Sequence, residues 1–477
     1  MSQRSPILSL VVAASLSACV FDNPGSPPRD RAFHFPIAAV ASPDARWLYV
    51  VNSDFNLQYN GGSIVVVDLS RVRDAILGPA GSPRPVTVTP PPAAPSARQI
   101  DPESVWMPPL QGENGPTTIR INPFATDVQL RTVGAARRLY VTVRGDATLT
   151  YVDLVGDGST LSCGASAPNE LCAIDYRRGI DPTQHSGPRQ LSLPPLPAVV
   201  NTRDGDPYVV VVHQESPRSR ISLFYDAVDR TDVGPILTHW VGDMSSNLDA
   251  IVRLEDIPGV GGAAAQPRWI AFSRDEPFAN YVHAVPDGPL SFLARSRLVP
   301  FGGVASDVGI RTLVRDPANP NRLYATARPG PSVGGSPIRS GEQLLSIDLS
   351  VPETPIVTDI LAIPAGISRL TAIRDPDPAG AGHTLVYVVS FDSRTITVVD
   401  ANAWRVIDSI RTQFGPHVIV PDPLIGEPDH RHDFLYLVDF GSNCVEVVDV
   451  GFGPNHAATH HRVVMTIGDV SRPRENL

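Results

Sequence analysis

The chain contains no lysine: all 39 of its basic residues are arginine. We read that absence as codon usage of a GC-rich genome rather than as chemistry, but it does remove the lysine that a P-loop needs. Basic residues are also outnumbered by 49 acidic ones, for a net charge of −10, which excludes a phosphate-neutralising nucleic-acid surface. Charged residues make up only 18% of the chain and apolar ones 42%, so it is no disordered acidic tail and can bury a core. Apolar runs of membrane-spanning length are missing, and no long segment carries a helical period. Several ordered signatures are absent too, among them HExxH for zinc, CxxCH for covalent haem and DxDxDG for calcium. No cofactor is indicated.

What is present is one phrase repeated seven times: an apolar strand, a polar turn, and a second apolar strand that often ends in aspartate. It reads LYVVN (48–52) with IVVVD (64–68), LYVTV (139–143) with TYVDL (150–154), and PYVVVV (207–212) with ISLFYD (221–226). Four more copies start at Arg268, Leu323, Val386 and Leu435. In the last three repeats two further strand-length runs flank each pair, all rich in Val, Ile, Thr and Tyr and bounded by Pro, Gly, Asp and Asn. Four antiparallel strands repeated seven times predict an all-β, seven-bladed β-propeller as a single domain over 33–470. An eight-bladed ring or an open solenoid are the structural alternatives. The strand-end residues Asp68, Asp153, Asp226, Asp348, Asp400 and Asp449 are expected to accept backbone N–H bonds rather than to catalyse.

The N-terminus is a targeting segment. Arg4 precedes an apolar stretch over 7–14, and Leu16-Ser17-Ala18-Cys19 closes it. This resembles the bacterial lipobox, which implies a signal peptide over 1–18 and lipidation of Cys19, so that the membrane is a partner through acyl chains. Val20 and Phe21 after the cysteine, in place of an acidic residue, point by that resemblance to the outer membrane. Residues 19–32, rich in Pro and Gly, are expected to form a flexible tether, and 471–477 a short tail. In an oxidising compartment Cys163 and Cys172 read as a local disulfide in a polar insertion over 155–190, and Cys444 as a buried thiol within a strand.

The phrases SPDARWLYVVN (42–52) and RRLYVTV (137–143) are similar to the Tyr-Val-Thr-Asn (YVTN) repeat family of β-propellers, akin in shape to lactonase-like and quinoprotein-like propellers. The resemblance implies a fold and an extracytoplasmic setting, and little about activity, since such scaffolds host hydrolases, oxidoreductases and plain binding modules. Candidate sites therefore lie in unrepeated material. The proline-rich insertion over 78–115, with Trp106, reads as a surface loop or lid. His430, His432, His460 and His461, with Asp429 and Asp433, are weak metal-ligand candidates without ordered spacing. GPSVG (330–334) has the GxSxG pattern but sits in a Gly/Pro loop, not on a strand-to-helix elbow. A lactonase-like site would need charged residues at the channel mouth, for example His213, Glu215 or Arg144 near strand ends. The expected function is a lipid-anchored binding or scaffold module for protein, peptide or glycan, the alternative a small-molecule enzyme at that mouth.

Overall fold

A computed structural model of the chain describes residues 25–78, 99–100, 107–112, 115–133, 136–179, 196–227, 233–259, 263–286, 288–300, 308–329, 342–377, 379, 382–453, 456–468 and 470. Outside them fall the N-terminal segment read as a signal peptide, with Cys19, most of the proline-rich insertion with Trp106, the GxSxG loop and residues 471–477.

The second and third strands of each unit are the repeated phrase, and their central residues are buried: WLYVVN at Trp47–Asn52, FLYLVD at Phe434–Asp439 and CVEVVD at Cys444–Asp449 have no exposed residue. Such strands read as continuous apolar runs because both faces pack against neighbouring sheets. Seven four-stranded antiparallel sheets result, each built on consecutive strands with the order first, second, third, fourth. Blade 1 opens at Pro36–Ala41 and blade 7 closes at Arg462–Ile467. The fold is a seven-bladed β-propeller. Each of the seven junctions holds its own apolar cluster, for example Val50, Val65 and Val67 against Tyr436, Val445 and Val447 where blade 7 meets blade 1. A closed ring follows, with no eighth blade and no open solenoid end.

The repeat tyrosine is structural. Tyr49, Tyr140, Tyr324, Tyr387 and Tyr436 take the same register position in blades 1, 2, 5, 6 and 7, where Val210 and Ile270 stand in blades 3 and 4. All five are fully buried, and each hydroxyl has a partner, such as Asp226 Oδ2 for Tyr140 at 2.5 Å and Asp422 Oδ2 for Tyr436 at 2.8 Å.

Three features differ from the sequence expectation. A nine-residue α-helix, Leu69–Leu77, follows blade 1's third strand; Asp68 caps it by accepting from Arg71 N, and Leu69, Val72 and Leu77 bury one face. The insertion over 78–115 is not all surface loop: Gln99–Ile100 pairs in parallel with blade 7's last strand, and Met107 is buried at the closing junction. The helix fastens that junction too, through Arg73 Nη1 to Asp422 Oδ2 at 3.0 Å and Arg431 to Asp74 at 2.7 Å. The described part of the polar insertion, 155–179, belongs to blade 2, whose fourth strand is Thr160–Ser162. Cys163 and Cys172 form their disulfide inside the blade 1–2 cluster, so this segment has a core after all.

Residues 25–32, expected as part of a flexible tether, are bound to the propeller. Asn60 N donates to Ser26 O at 3.0 Å, Asn169 Nδ2 to Pro28 O at 3.0 Å and Asn52 Nδ2 to Ala32 O at 3.1 Å, so residues 25–32 run along the propeller. No helix among the described residues is long and apolar enough to cross a membrane.

Candidate functional site

Antiparallel order puts the start of every first strand and the end of every second strand on one face of the ring. There the first strands share an irregularity: each carries a register shift near its start, as between Pro36 and Ala38, Leu248 and Ala250 or Ile310 and Thr312. A bulge re-aims a side chain, and repeated seven times it makes a ring. The extra residues are Ile37, Thr126, Ala198, Asp249, Arg311, Ser368 and His417, and all seven line one cavity of about 720 Å³ at the channel mouth. The turn just after the second strand supplies the rest of the wall, including Phe55, Arg144, Gln214, Arg274, Asp392 and Phe440.

The mouth has two sides. Blades 6, 7, 1 and 2 supply aromatic rings: Phe440 lies 4.8 Å from Phe35 and 5.6 Å from Phe55, Phe55 lies 6.0 Å from Phe124, and Phe391 lies 6.4 Å from Phe440. Phe55 is 51% exposed, which makes it an apolar surface without a protein partner on its outer side. The arc from blade 2 to blade 6 is charged. Arg144 donates to Gln214 Oε1 at 2.7 Å, Gln214 Nε2 to Asp249 Oδ1 at 3.2 Å, and Arg274 stands 3.5 Å from Asp249 Oδ2. Arg311 is 3.9 Å from Glu342, and Arg369 makes no hydrogen bond or ion pair among the described residues. Four guanidiniums thus face Asp249 and Asp392 in the lumen of an otherwise anionic protein.

Backbone strain sits at the same place. The residue preceding the first strand is left-handed in six blades, with φ 49° at Phe35, 61° at Phe124, 53° at Leu196 and 48° at Asn247, and glycine at 366 and 415. Glycine is the residue that takes this conformation without cost; Phe and Leu give up about 1–2 kcal/mol each. Phe124 and Leu196 line the mouth in spite of that penalty.

Below the mouth a second cavity of about 390 Å³ continues down the channel, walled mainly by Val, Ala and Leu from the first strands, and Asp249 and Arg369 line both. Burial raises the Asp127 carboxyl to about 6, although Arg369 and two backbone N–H groups act to lower it. Burial, then Arg369, pushes the His417 imidazole down to about 3, so His417 is neutral. Both side chains reach the lumen but are enclosed by the ring.

Of the expected mouth residues only Arg144 lies there. His213 is buried behind the wall, its Nε2 2.8 Å from Ser222 Oγ, and Glu215 stands 3.6 Å from Arg220. The C-terminal histidines sit on the opposite face, in the turns after first and third strands, and are held separately. His430 pairs with Asp433 at 2.8 Å, His432 with Asp422 at 3.1 Å, His460 with Gly451 O at 2.8 Å and His461 with Asp408 at 3.1 Å. No group of three or more metal-ligating side chains comes together among the described residues. The strand-end aspartates lie on that face too. Asp68, Asp348, Asp400 and Asp449 accept backbone N–H bonds as expected, whereas Asp153 and Asp226 instead bind the Arg138 guanidinium at 2.6 and 2.7 Å. Cys444 is a buried free thiol, its titration pushed up first by burial and then by Asp439.

No family model matches the chain, and no curated protein matches its sequence. Solved structures do. Hydrazine synthase from Kuenenia stuttgartiensis aligns at a TM-score of 0.50 with 11% identity, over 88% of this chain and 97% of that one. The periplasmic gluconolactonase PpgL of Pseudomonas aeruginosa aligns at 0.48 with 13% identity, over 80% and 87%. Saccharomyces cerevisiae Sqt1 aligns at 0.44 with 10% identity, over 93% and 88%. At such identities the likeness is one of fold alone.

Proposed function

We propose that this chain is an extracytoplasmic binding propeller of YVTN-repeat type, lipid-anchored at Cys19, whose ligand enters the mouth of the central channel. The ligand class is an organic anion with a flat apolar portion, met as a free molecule or as the end of a peptide or glycan. One observation carries this reading: a single cavity of about 720 Å³ joins an exposed phenylalanine rim to guanidiniums that the protein does not fully neutralise. Apolar walls with a few convergent polar groups are what a ligand pocket requires. Catalysis is less well supported. His417 is too weak a base at an acidity of about 3, and it has no hydrogen-bonded hydroxyl or thiol among the described residues.

The anchor agrees with this geometry. Asn60, which holds residues 25 and 26, belongs to the same turn as Phe55, so the chain leaves the propeller on the mouth face. Gly25 lies six positions after Cys19, a reach of about 20 Å, which would keep the mouth toward the membrane. Two measurements test the proposal. Radiolabelled palmitate should enter the wild type and not Cys19→Ala, and Cys19→Ala should leave the membrane fraction; unlabelled, membrane-free wild type would sink the anchor. Calorimetry against aromatic carboxylates and their neutral amides should give heat with the acids, reduced by Phe55→Ala; equal heat with the amides would sink the anion site.

A further inference from the structure

One residue beyond the bulge, the first strands form a second ring, which is the waist of the channel. Five of its seven members are uncharged, Thr312 and Val418 among them; the charged two are Asp127 and Arg369. Arg369 borders both the mouth and the cavity below, and it is the mouth guanidinium without a hydrogen bond or ion pair among the described residues. A half-buried guanidinium has given up much of its hydration, and an anion at its five donors restores those hydrogen bonds.

Resting on the mouth as the ligand site, we propose that Arg369 anchors the carboxylate of a monoanionic aromatic or similarly flat organic acid, whose apolar body lies on the phenylalanine rim, and that a proton is taken up with the anion. Arg144 and Arg274 are engaged with Gln214 and Asp249, and Arg311 faces Glu342, which leaves the Arg369 guanidinium to meet one carboxylate charge, while Asp127, Asp249 and Asp392 in the same lumen oppose a second. The remaining charged groups around Arg369 are Arg311 and Arg315 from blade 5's first strand, Arg144 and Arg274 at the turns, and the imidazole His417. First strands of blades 1 and 3 bring none to the lumen.

The coupling follows from which groups feel Arg369. Its charge favours the ionised form of Asp127 and disfavours the protonated form of His417. An anion on Arg369 cancels that influence, so both groups hold protons more tightly when the site is filled. By linkage, affinity for the anion rises as pH falls through the Asp127 range near 6. Below it, a protonated Asp127 no longer competes for the guanidinium.

Isothermal titration of the full chain with phenylacetate, phenylacetamide and phenyl phosphate tests this, at about pH 5 and about pH 7.5. Phenylacetate should bind better than the other two, roughly three- to tenfold more tightly at the lower pH, with protons taken up in buffers of different ionisation heat. Arg369→Gln should lose about tenfold or more in affinity with an unchanged melting temperature, Arg369→Lys less, and Asp127→Asn should be as tight at the higher pH as the wild type at the lower. The exposed outer-strand variant Arg405→Gln should change nothing. Phenylacetate binding that Phe55→Ala weakens but Arg369→Gln does not would overturn Arg369 as the anchor while sparing the mouth. A flat pH profile would overturn the proton uptake, preference for phenyl phosphate would overturn the monoanion, and no binding by any probe would overturn the mouth itself.

Discussion

The two ends of the channel treat charge in opposite ways. On the face bearing the turns after first and third strands, buried charges are matched: Arg138 and Arg131 with Asp226, Arg73 with Asp422, Arg253 with Asp206, His456 with Asp449. At the mouth Arg369 has the Asp127 charge near it but no hydrogen bond or ion pair among the described residues, Arg144 has neutral hydrogen-bond partners, and Asp249 is shared between Arg274 and Gln214. Burying a charge is costly unless it is paired, so matched networks belong to the scaffold, and unmatched ones persist where something outside the chain completes them. At the mouth bulky Phe124 and Leu196 hold left-handed positions that glycine fills in blades 6 and 7. Opposite-face substitutions should therefore damage stability, and mouth substitutions binding.

The largest separation is expected from Asp226→Ala, which removes the buried carboxylate that Arg138 and the Tyr140 hydroxyl donate to and that stands 3.5 Å from Arg131. Denaturant melts should show a loss of about 3–5 kcal/mol, with probe affinity unchanged in the folded fraction. Replacing both Cys163 and Cys172 by serine should cost about 2–3 kcal/mol, since the pair closes a short loop between positions nine apart.

A pH effect comes next. Asp439 and Glu446 are fully buried side by side beneath Phe440, with Cys444 as the other neighbour; burial holds both carboxyls well above their ordinary range, and Asp439 raises Glu446 further. Their folded-state protons are held more tightly than in the unfolded chain. Stability from this pair is thus full below the unfolded range near 4 and is lost as pH rises through the raised folded values. Melts of wild type against Asp439→Asn with Glu446→Gln should converge in acid and part at alkaline pH, the variant being the more stable there. The smallest effect should come from Leu196→Gly. Leu196 is 44% exposed at φ 53°, so removing its side chain should raise stability by about 1 kcal/mol while weakening the aromatic acid. A variant that gains stability and loses binding would sharpen the contrast; one that loses both would blur it.

The scaffold was largely legible because its signal repeats. Middle strands buried on both faces cannot be anything but apolar, and seven copies of that constraint announced the blade number. Fourth strands were harder. Thr118–Ile121 lies 50 residues beyond the end of its partner Gly62–Asp68, and Thr160–Ser162 is three residues long in a polar setting. The channel mouth was an expected site, with Arg144 among its residues, but most of its wall was not legible for a physical reason: each blade contributes one bulged side chain, and Ile37, Thr126, Ala198, Asp249, Arg311, Ser368 and His417 have no residue type in common. Superposing the seven first strands by their second-strand partners would have exposed a single variable position in an apolar frame. The conspicuous histidines drew attention instead because they cluster in sequence, but each serves a separate aspartate or carbonyl.

The claim that the mouth is the ligand site can be put to one crystal. Soaked with 4-bromophenylacetate, it should show an anomalous bromine peak inside the ring of phenylalanines, with the carboxylate directed to Arg369. Bromine bound elsewhere, on the histidine-rich face or along an outer blade edge, with the mouth left without it, would contradict the account.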